Sequence, residues 1–436
     1  MSKNKNRFLY LLCAVSIWIG MKAQINNAEN LEPFVTKLKR NEVVTQILFI
    51  GDSHIQADWL TGYLRNKFQE EYGNAGRGLV FPYAVANSNG PEDVSAYSNT
   101  TWENFRLVYE QDIFPKIGAS GFVIGNKAPS ILEINLRPED AFTKVVIFND
   151  STMSGESFEL MKSNESLKKF IKKNKKVFPY IVKAEDTFPE IASKFYTTTT
   201  RLNQLNQSKK PIVNQSYSVE KVEISYDFSF ENQMKSLLKS TFLGQNTVVD
   251  FSEPNTRLLL RTNARNGNVF YGFQFLNNNT KGVVFNTVGV NGATYADFLK
   301  YPLQLQQLKL IQPDIAIIAL GTNESLGAIG EEEFKQNVMR LISELRKGTQ
   351  QLPILLISPP DNKLKGDKAE LITKWIAQVA TQEKVAFYDL NKSLGGRGYF
   401  QKALNSKDAN KDGVHFLKTG YEKQAQKIYA ALKDLF

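Results

Sequence analysis

The segment Gln46-Ile47-Leu48-Phe49-Ile50-Gly51-Asp52-Ser53-His54 opens as a continuously apolar run, the pattern of a strand buried on both faces of a parallel sheet. It breaks at Gly51 and delivers Asp52 and Ser53 just past the strand's carboxyl end, where open α/β sheets gather ligand and catalytic groups. Trp59, Leu60, Tyr63, Leu64 and Phe68 follow, mostly three and four apart, and predict a helix over 58–71. A serine at such a strand-to-helix turn exposes its hydroxyl near helix N-terminal N–H groups that can stabilise an oxyanion. The same residues also suit an ordinary turn, because Asp and Ser bond their own backbone well.

The chain of 436 residues has room for two or three domains. Its 42% apolar and 22% charged residues exclude wholesale disorder. The formal charge of +10 favours an anionic partner; no nucleic-acid motif accompanies it, and nucleic acid is not expected as a partner. At the start, Lys3, Lys5 and Arg7 precede an apolar core from Phe8 to Met21. That core is shorter than the ~20 residues of a bilayer span and has the build of a secretory signal, with cleavage after Ala23. A signal peptide over 1–23 predicts a secreted or periplasmic protein with no stable membrane span once it is removed. The one cysteine, Cys13, lies inside it, and Tyr10-Leu11-Leu12 lack the small residue expected before a lipidated cysteine. The mature chain is therefore expected to have no disulfides, no cysteine nucleophile and no thiolate metal site.

Beyond the first helix, Gly73-Asn74-Ala75-Gly76-Arg77-Gly78 reads as a loop approaching the Ser53 turn. Short β-branched and aromatic runs then recur at 102–109, 121–124, 131–136 and 144–149, and again at 222–230, 247–251, 257–262 and 269–276. Their spacing predicts an antiparallel sandwich inserted between the first and second strands of the parallel sheet. Lys162 to Lys176 is lysine-rich and reads as a solvated helix or linker. After it, 180–188, 191–195, 202–206 and 217–219 read as a strand, an Asp/Thr helix cap, an amphipathic turn pair and a return strand. Alternation of strand and helix resumes with strands at 282–288, 314–320, 354–357 and 386–390, and helices at 303–310, 331–346, 368–383 and 418–432. The fold class is α/β, a three-layer doubly wound parallel sheet.

Three further turns carry polar groups next to these elements: Gly289 to Thr294, Gly321-Thr322-Asn323-Glu324 and Asp412-Gly413-Val414-His415. Gly51-Asp52-Ser53, Gly292, Gly321-Thr322-Asn323 and Asp412-x-x-His415 resemble, in order, the four sequence blocks of the SGNH (GDSL-like) hydrolases. The resemblance implies Ser53 as nucleophile, His415 as its base and Asp412 as the carboxylate that orients the imidazole. It also implies an oxyanion hole from the backbone N–H groups of Ser53 and Gly292 and the side-chain amide of Asn323. His54 stands where leucine is commoner. The chain has two histidines, and His54, adjacent to Ser53, does not face it on a turn entering a helix; it is expected to wall or pack the site. Asp58 and Asp389 are expected as caps or loop ligands. No metal and no cofactor is expected.

The stretch 177–221 resembles a LysM module, a binder of N-acetylglucosamine-containing glycans, through Tyr180-x-Val182, Asp186-Thr187, Ile191-Ala192, Lys194-Phe195 and Leu205-Asn206. It departs from that family at Glu185, where glycine is usual, and at Pro189. A sandwich inserted after the first block, together with Gly51-Asp52-Ser53-His54, Val290-Asn291-Gly292-Ala293-Thr294 and Asp412-Gly413-Val414-His415, resembles the peptidoglycan O-acetylesterases. The expected organisation is an SGNH part at 40–98 and 282–436, interrupted at 99–281 by a carbohydrate-binding-module-like sandwich that carries the LysM-like unit. The expected protein is a wall-associated monomeric serine esterase that removes O-acetyl groups from the muramic acid of peptidoglycan. The alternatives are an esterase for another acetylated polysaccharide and a non-catalytic peptidoglycan-binding protein.

Overall fold

Six parallel strands form the central sheet, in the order Ala386–Tyr388, Ile354–Ile357, Ile315–Ala319, Val44–Gly51, Gly282–Gly289 and Asn74–Gly76. The computed structural model describes residues 25–109, 116–184, 186–195, 197–207, 210–263, 267–349 and 351–436; the expected signal peptide with Cys13, and Glu185, lie outside them. Val44–Gly51 is interior to the sheet, and its side chains alternate between two cores as the pleat requires. Leu48 and Ile50 join the helices Pro302–Leu310, Glu331–Arg346 and Gly366–Gln382. Ile47 and Phe49 join the helices Glu32–Arg40, Trp59–Tyr72 and Lys418–Lys433 on the other face. All four side chains are fully buried, each contributing about 1.5–3 kcal/mol of hydrophobic stabilisation. Among the described residues no helix is long and apolar enough to cross a membrane.

Chain order reverses at the Val44–Gly51 strand. From it the chain runs outward to the Asn74–Gly76 edge, returns through Gly282–Gly289, then crosses to Ile315–Ala319 on the opposite side. That reversal opens a crevice at the carboxyl end of the strand that leads into Ser53.

The interruption begins earlier than 99. Gly73 to Gly78 is no loop near Ser53: Asn74–Gly76 pairs with Val283 and Val284, at the amino end of its neighbour and far from Gly289. The insertion accordingly follows the second parallel strand, not the first. Gly78–Val80 already pairs with Asn268–Leu276, and Ser95–Ser98 with Ser130–Asn135. Two antiparallel sheets result, one built on Ser157–Lys162 and Arg257–Thr262, the other on Phe142–Asn149 and Asn268–Leu276. Leu132, Leu160 and Leu260 of one meet Ile147 and Phe273 of the other in the same core cluster that continues under the parallel sheet.

The lysine-rich stretch is neither helix nor linker. After a short turn at Leu167–Phe170 it becomes the strand Ile171–Ile181, paired in register with Ser216–Tyr226. Lys172, Lys173, Lys175 and Lys176 are exposed on this two-stranded ribbon, where β pairing satisfies the backbone that a helix would otherwise satisfy. Between the two strands lie the helices Phe188–Lys194 and Thr199–Leu205, whose Ile191, Ala192 and Leu202 pack on Val182, Tyr217 and Val219. Thr187 and Glu190 form a reciprocal capping box, and Pro189 falls in the first turn, where its missing N–H does no harm.

Candidate active site

The Val44–Gly51 strand ends in a one-turn helix, Ser53–Gln56, whose N-cap is Asp52: its Oδ1 accepts the His54 N–H at 2.9 Å. The turn fits between strand ends because Gly289 has no side chain. A Cβ there would stand 2.4 Å from the Gln56 nitrogen. Ser53 is thus raised to the surface while Asp52, His54, Ile55 and Gln56 are buried around it.

The loop before the last helix meets this turn. Asp412 Oδ1 accepts the N–H groups of Val414 and His415, each at 2.9 Å, and its Oδ2 lies 2.8 Å from His415 Nδ1. His415 Nε2 lies 2.8 Å from Ser53 Oγ. An ionised carboxylate only accepts, so Nδ1 carries the proton and Nε2 is left to accept from the serine hydroxyl. Burial would raise the Asp412 carboxyl, but the two N–H groups and the imidazole together hold it below the ordinary carboxylate range.

Gly292 sits at φ +85° in the turn after Gly282–Gly289, in the left-handed region that favours glycine, and is exposed. Asn323 lies in the one-turn helix Thr322–Leu326. One of its amide hydrogens is taken by the Ala293 carbonyl at 2.8 Å, which orients the group and leaves the second hydrogen for another acceptor. The turns are tied to each other as well. Gln56 Oε1 accepts the Asn291 N–H at 2.7 Å, while its Nε2 donates to the Asn89 carbonyl at 2.8 Å. Glu324 Oε1 accepts the Tyr295 N–H at 2.8 Å.

Gln56 is a brace that the sequence analysis did not single out, and Glu324 entered it only as part of the turn at 321–324. Their spacing after the motif glycines was the only signal, and nothing local marks a glutamine as a cross-brace. Two of the acids beneath the site are strained electrostatically: burial raises Asp52 to about 6 and Glu324 to about 8, the latter with help from the Asp52 charge. His54 is stacked among rings, 5.5 Å from His415 and 5.5 Å edge-on to Tyr421. Burial, reinforced by His415, lowers it to about 3, so it is neutral, and neither of its nitrogens has a hydrogen-bond partner among the described residues.

Asp389 caps the helix Leu390–Leu394, accepting the Lys392 N–H at 2.8 Å. Asp58 does not cap. At φ +60° it turns its carboxylate inward, to Arg65 at 2.6 Å and Arg77 at 2.8 Å. Asp93 bonds the same two guanidinium groups, each at 2.7 Å. Among the described residues no group of three or more His, Cys, Asp or Glu is placed to hold a metal ion.

Residues 256–423 match the GDSL-like Lipase/Acylhydrolase family, a span that includes Gly292, Asn323, Asp412 and His415 but not Ser53. A search of curated proteins finds no match. Among solved structures, one described as "Peptidoglycan O-acetylesterase in action, 5 min" shares 18% identity at a TM-score of 0.65, over 92% of this chain and 95% of that one. A lipase/acylhydrolase from Enterococcus faecalis shares 23% identity at a TM-score of 0.30, over 35% of this chain and 77% of that one. The acetyl xylan esterase AlAXEase shares 19% at 0.28, over 34% and 81%. The parallel sheet whose carboxyl edge gathers these turns thus has a fold shared with that first structure, and residues 256–423 are similar to the GDSL-like lipase/acylhydrolases.

Proposed function

We propose that the protein is a serine esterase that removes O-acetyl groups from the muramic acid residues of peptidoglycan. The observation that carries this is the unbroken hydrogen-bonded chain from Ser53 Oγ through His415 to Asp412. On this reading His415 Nε2 takes the Ser53 proton as Oγ attacks the ester carbonyl, and Asp412 stabilises the imidazolium. The backbone N–H groups of Ser53 and Gly292 and the Asn323 amide receive the oxyanion. Collapse of the tetrahedral intermediate, with His415 returning its proton to the sugar oxygen, leaves an acetyl-serine. Water, activated by His415, releases acetate.

The choice of substrate is supported by the fold shared with a peptidoglycan O-acetylesterase over nearly the whole chain. The βααβ unit at 177–221 is read as a LysM-like glycan binder, which raises the local concentration of polymer. Residues 1–23 are read as a signal peptide, which sends the enzyme to the periplasm or cell wall, where its substrate is. The test is acetate release from O-acetylated peptidoglycan by the wild type and Ser53→Ala, with acetylated xylan alongside. The expected loss in the variant is about 10⁴-fold or more. A variant that retains turnover ends the serine mechanism. Cleavage of xylan but not of peptidoglycan transfers the reading to another acetylated polysaccharide, and binding to peptidoglycan without ester cleavage leaves a wall-binding protein.

A further inference from the structure

A cavity of about 60 Å³ lies where three parts of the molecule meet: the segment after Phe81, the Glu103–Arg106 strand and the helices of the βααβ unit. Ala86, Phe122 and Ala192 give it an apolar wall; Asn104, Arg106 and Thr198 give it a polar one. Asn104 and Arg106 are two apart on one strand, so their side chains leave the same face. Arg106 is held in place by its Nη2 bond to the Tyr109 hydroxyl at 2.7 Å. Yet Arg106 Nε and Asn104 Nδ2 are both buried and find no acceptor among the described residues. Two unpaired donors, one cationic, beside an apolar wall call for a carbonyl oxygen that carries a small apolar group.

The lining of the cavity is joined to the catalytic turn by neighbouring residues and a hydrogen bond. Val108, two residues beyond Arg106, is the side chain nearest a Cβ built on Gly292, at 3.9 Å. Ser88, which lines the cavity, accepts from Gln56 Nε2 at 3.0 Å, and the next residue, Asn89, accepts from Asn291 Nδ2 at 2.8 Å.

We propose that this cavity receives the acetamido group of an amino-sugar residue near the one being deacetylated. The methyl would lie against Ala86, Phe122 and Ala192, and the carbonyl oxygen would accept from Asn104 and Arg106. The proposal rests on the amino-sugar polymer named above as substrate, but its test does not use ester cleavage. Calorimetry of the full chain with a β-1,4-linked N-acetylglucosamine tetramer and with the glucosamine tetramer measures the acetamido preference directly. The free amine offers no carbonyl and is repelled by the guanidinium. The wild type is expected to prefer the N-acetylated tetramer at least about tenfold. The near-isosteric Asn104→Asp, and Arg106→Lys, which keeps the charge but loses Nε, should each remove that preference while retaining a cooperative melting transition. Unchanged tetramer affinity in both variants, or equal affinity of the wild type for both tetramers, overturns the proposal and leaves a cavity for water only. Intact tetramer discrimination with no acetate release from peptidoglycan would instead overturn the esterase reading alone.

Discussion

His54 has a physical role distinct from that of His415, although only its buried side separates them. Its neighbours are rings, and removing its imidazole from water lowers its pKa to about 3, below the ordinary 6.5. A histidine whose folded value is depressed contributes stability that is present above about 6.5 and lost as the pH falls towards about 3. His54→Leu should therefore shrink the fall in Tm between about pH 7 and about pH 4, followed by thermal unfolding of variant and wild type. An unchanged fall would mean that the imidazole is hydrated. The choice of His415 over His54 could be made from spacing, since a residue next to the serine cannot turn its ring towards it. The stacking of His54 could not, because Tyr421 and Phe416 come from the far end of the chain.

At the scale of elements, the one-turn helix Thr322–Leu326 buries a carboxylate at the base of the site. Glu324 stays protonated up to about pH 8 because burial disfavours its charge. An unfolded glutamate ionises near 4.5, so the native state is the tighter proton binder, and stability declines as the pH climbs from about 4.5 through about 8. Glu324→Gln keeps the acceptor for the Tyr295 N–H and cannot ionise. It should raise Tm at about pH 9 more than at about pH 5, read by calorimetry; an equal effect at both would place the carboxylate in solvent. Long, strongly periodic elements such as Glu331–Arg346 and Lys418–Lys433 were legible in the sequence. Lys162 to Lys176 was misread because exposed lysines suit a solvated helix and a two-stranded ribbon alike, and the partner strand is some 50 residues away, from Tyr226 back to Ser216.

Over the whole molecule, a buried ionic cluster fastens the parallel sheet to its insertion. Asp58 precedes the helix Trp59–Tyr72 and Arg65 lies within it, Arg77 follows the edge strand, and Asp93 lies on the way into the antiparallel sheets. Although burial opposes every charge, the facing carboxylates keep the Arg77 guanidinium firmly protonated, and the guanidinium groups hold Asp93 far below the usual range. Breaking such a cluster from one side leaves charge uncompensated. Arg77→Met should cost on the order of 3–5 kcal/mol in urea unfolding, whereas a loss under about 1 kcal/mol would mean that water reaches the carboxylates.

Local pattern was enough for five of the six parallel strands, the glycines that end Val44–Gly51 and Gly282–Gly289 and the polar residues placed just beyond. Those features depend on hydrophobic period and backbone freedom, which neighbouring residues express by themselves. Tertiary contacts decided the rest: that Asn74–Gly76 is a sheet edge, that Asp58 faces arginines 7 and 19 residues on, and that Gln56 braces Asn291. Each of these depends on a partner whose position exists only after the chain has closed, because a hydrogen bond or an ion pair has no signature in either sequence segment alone.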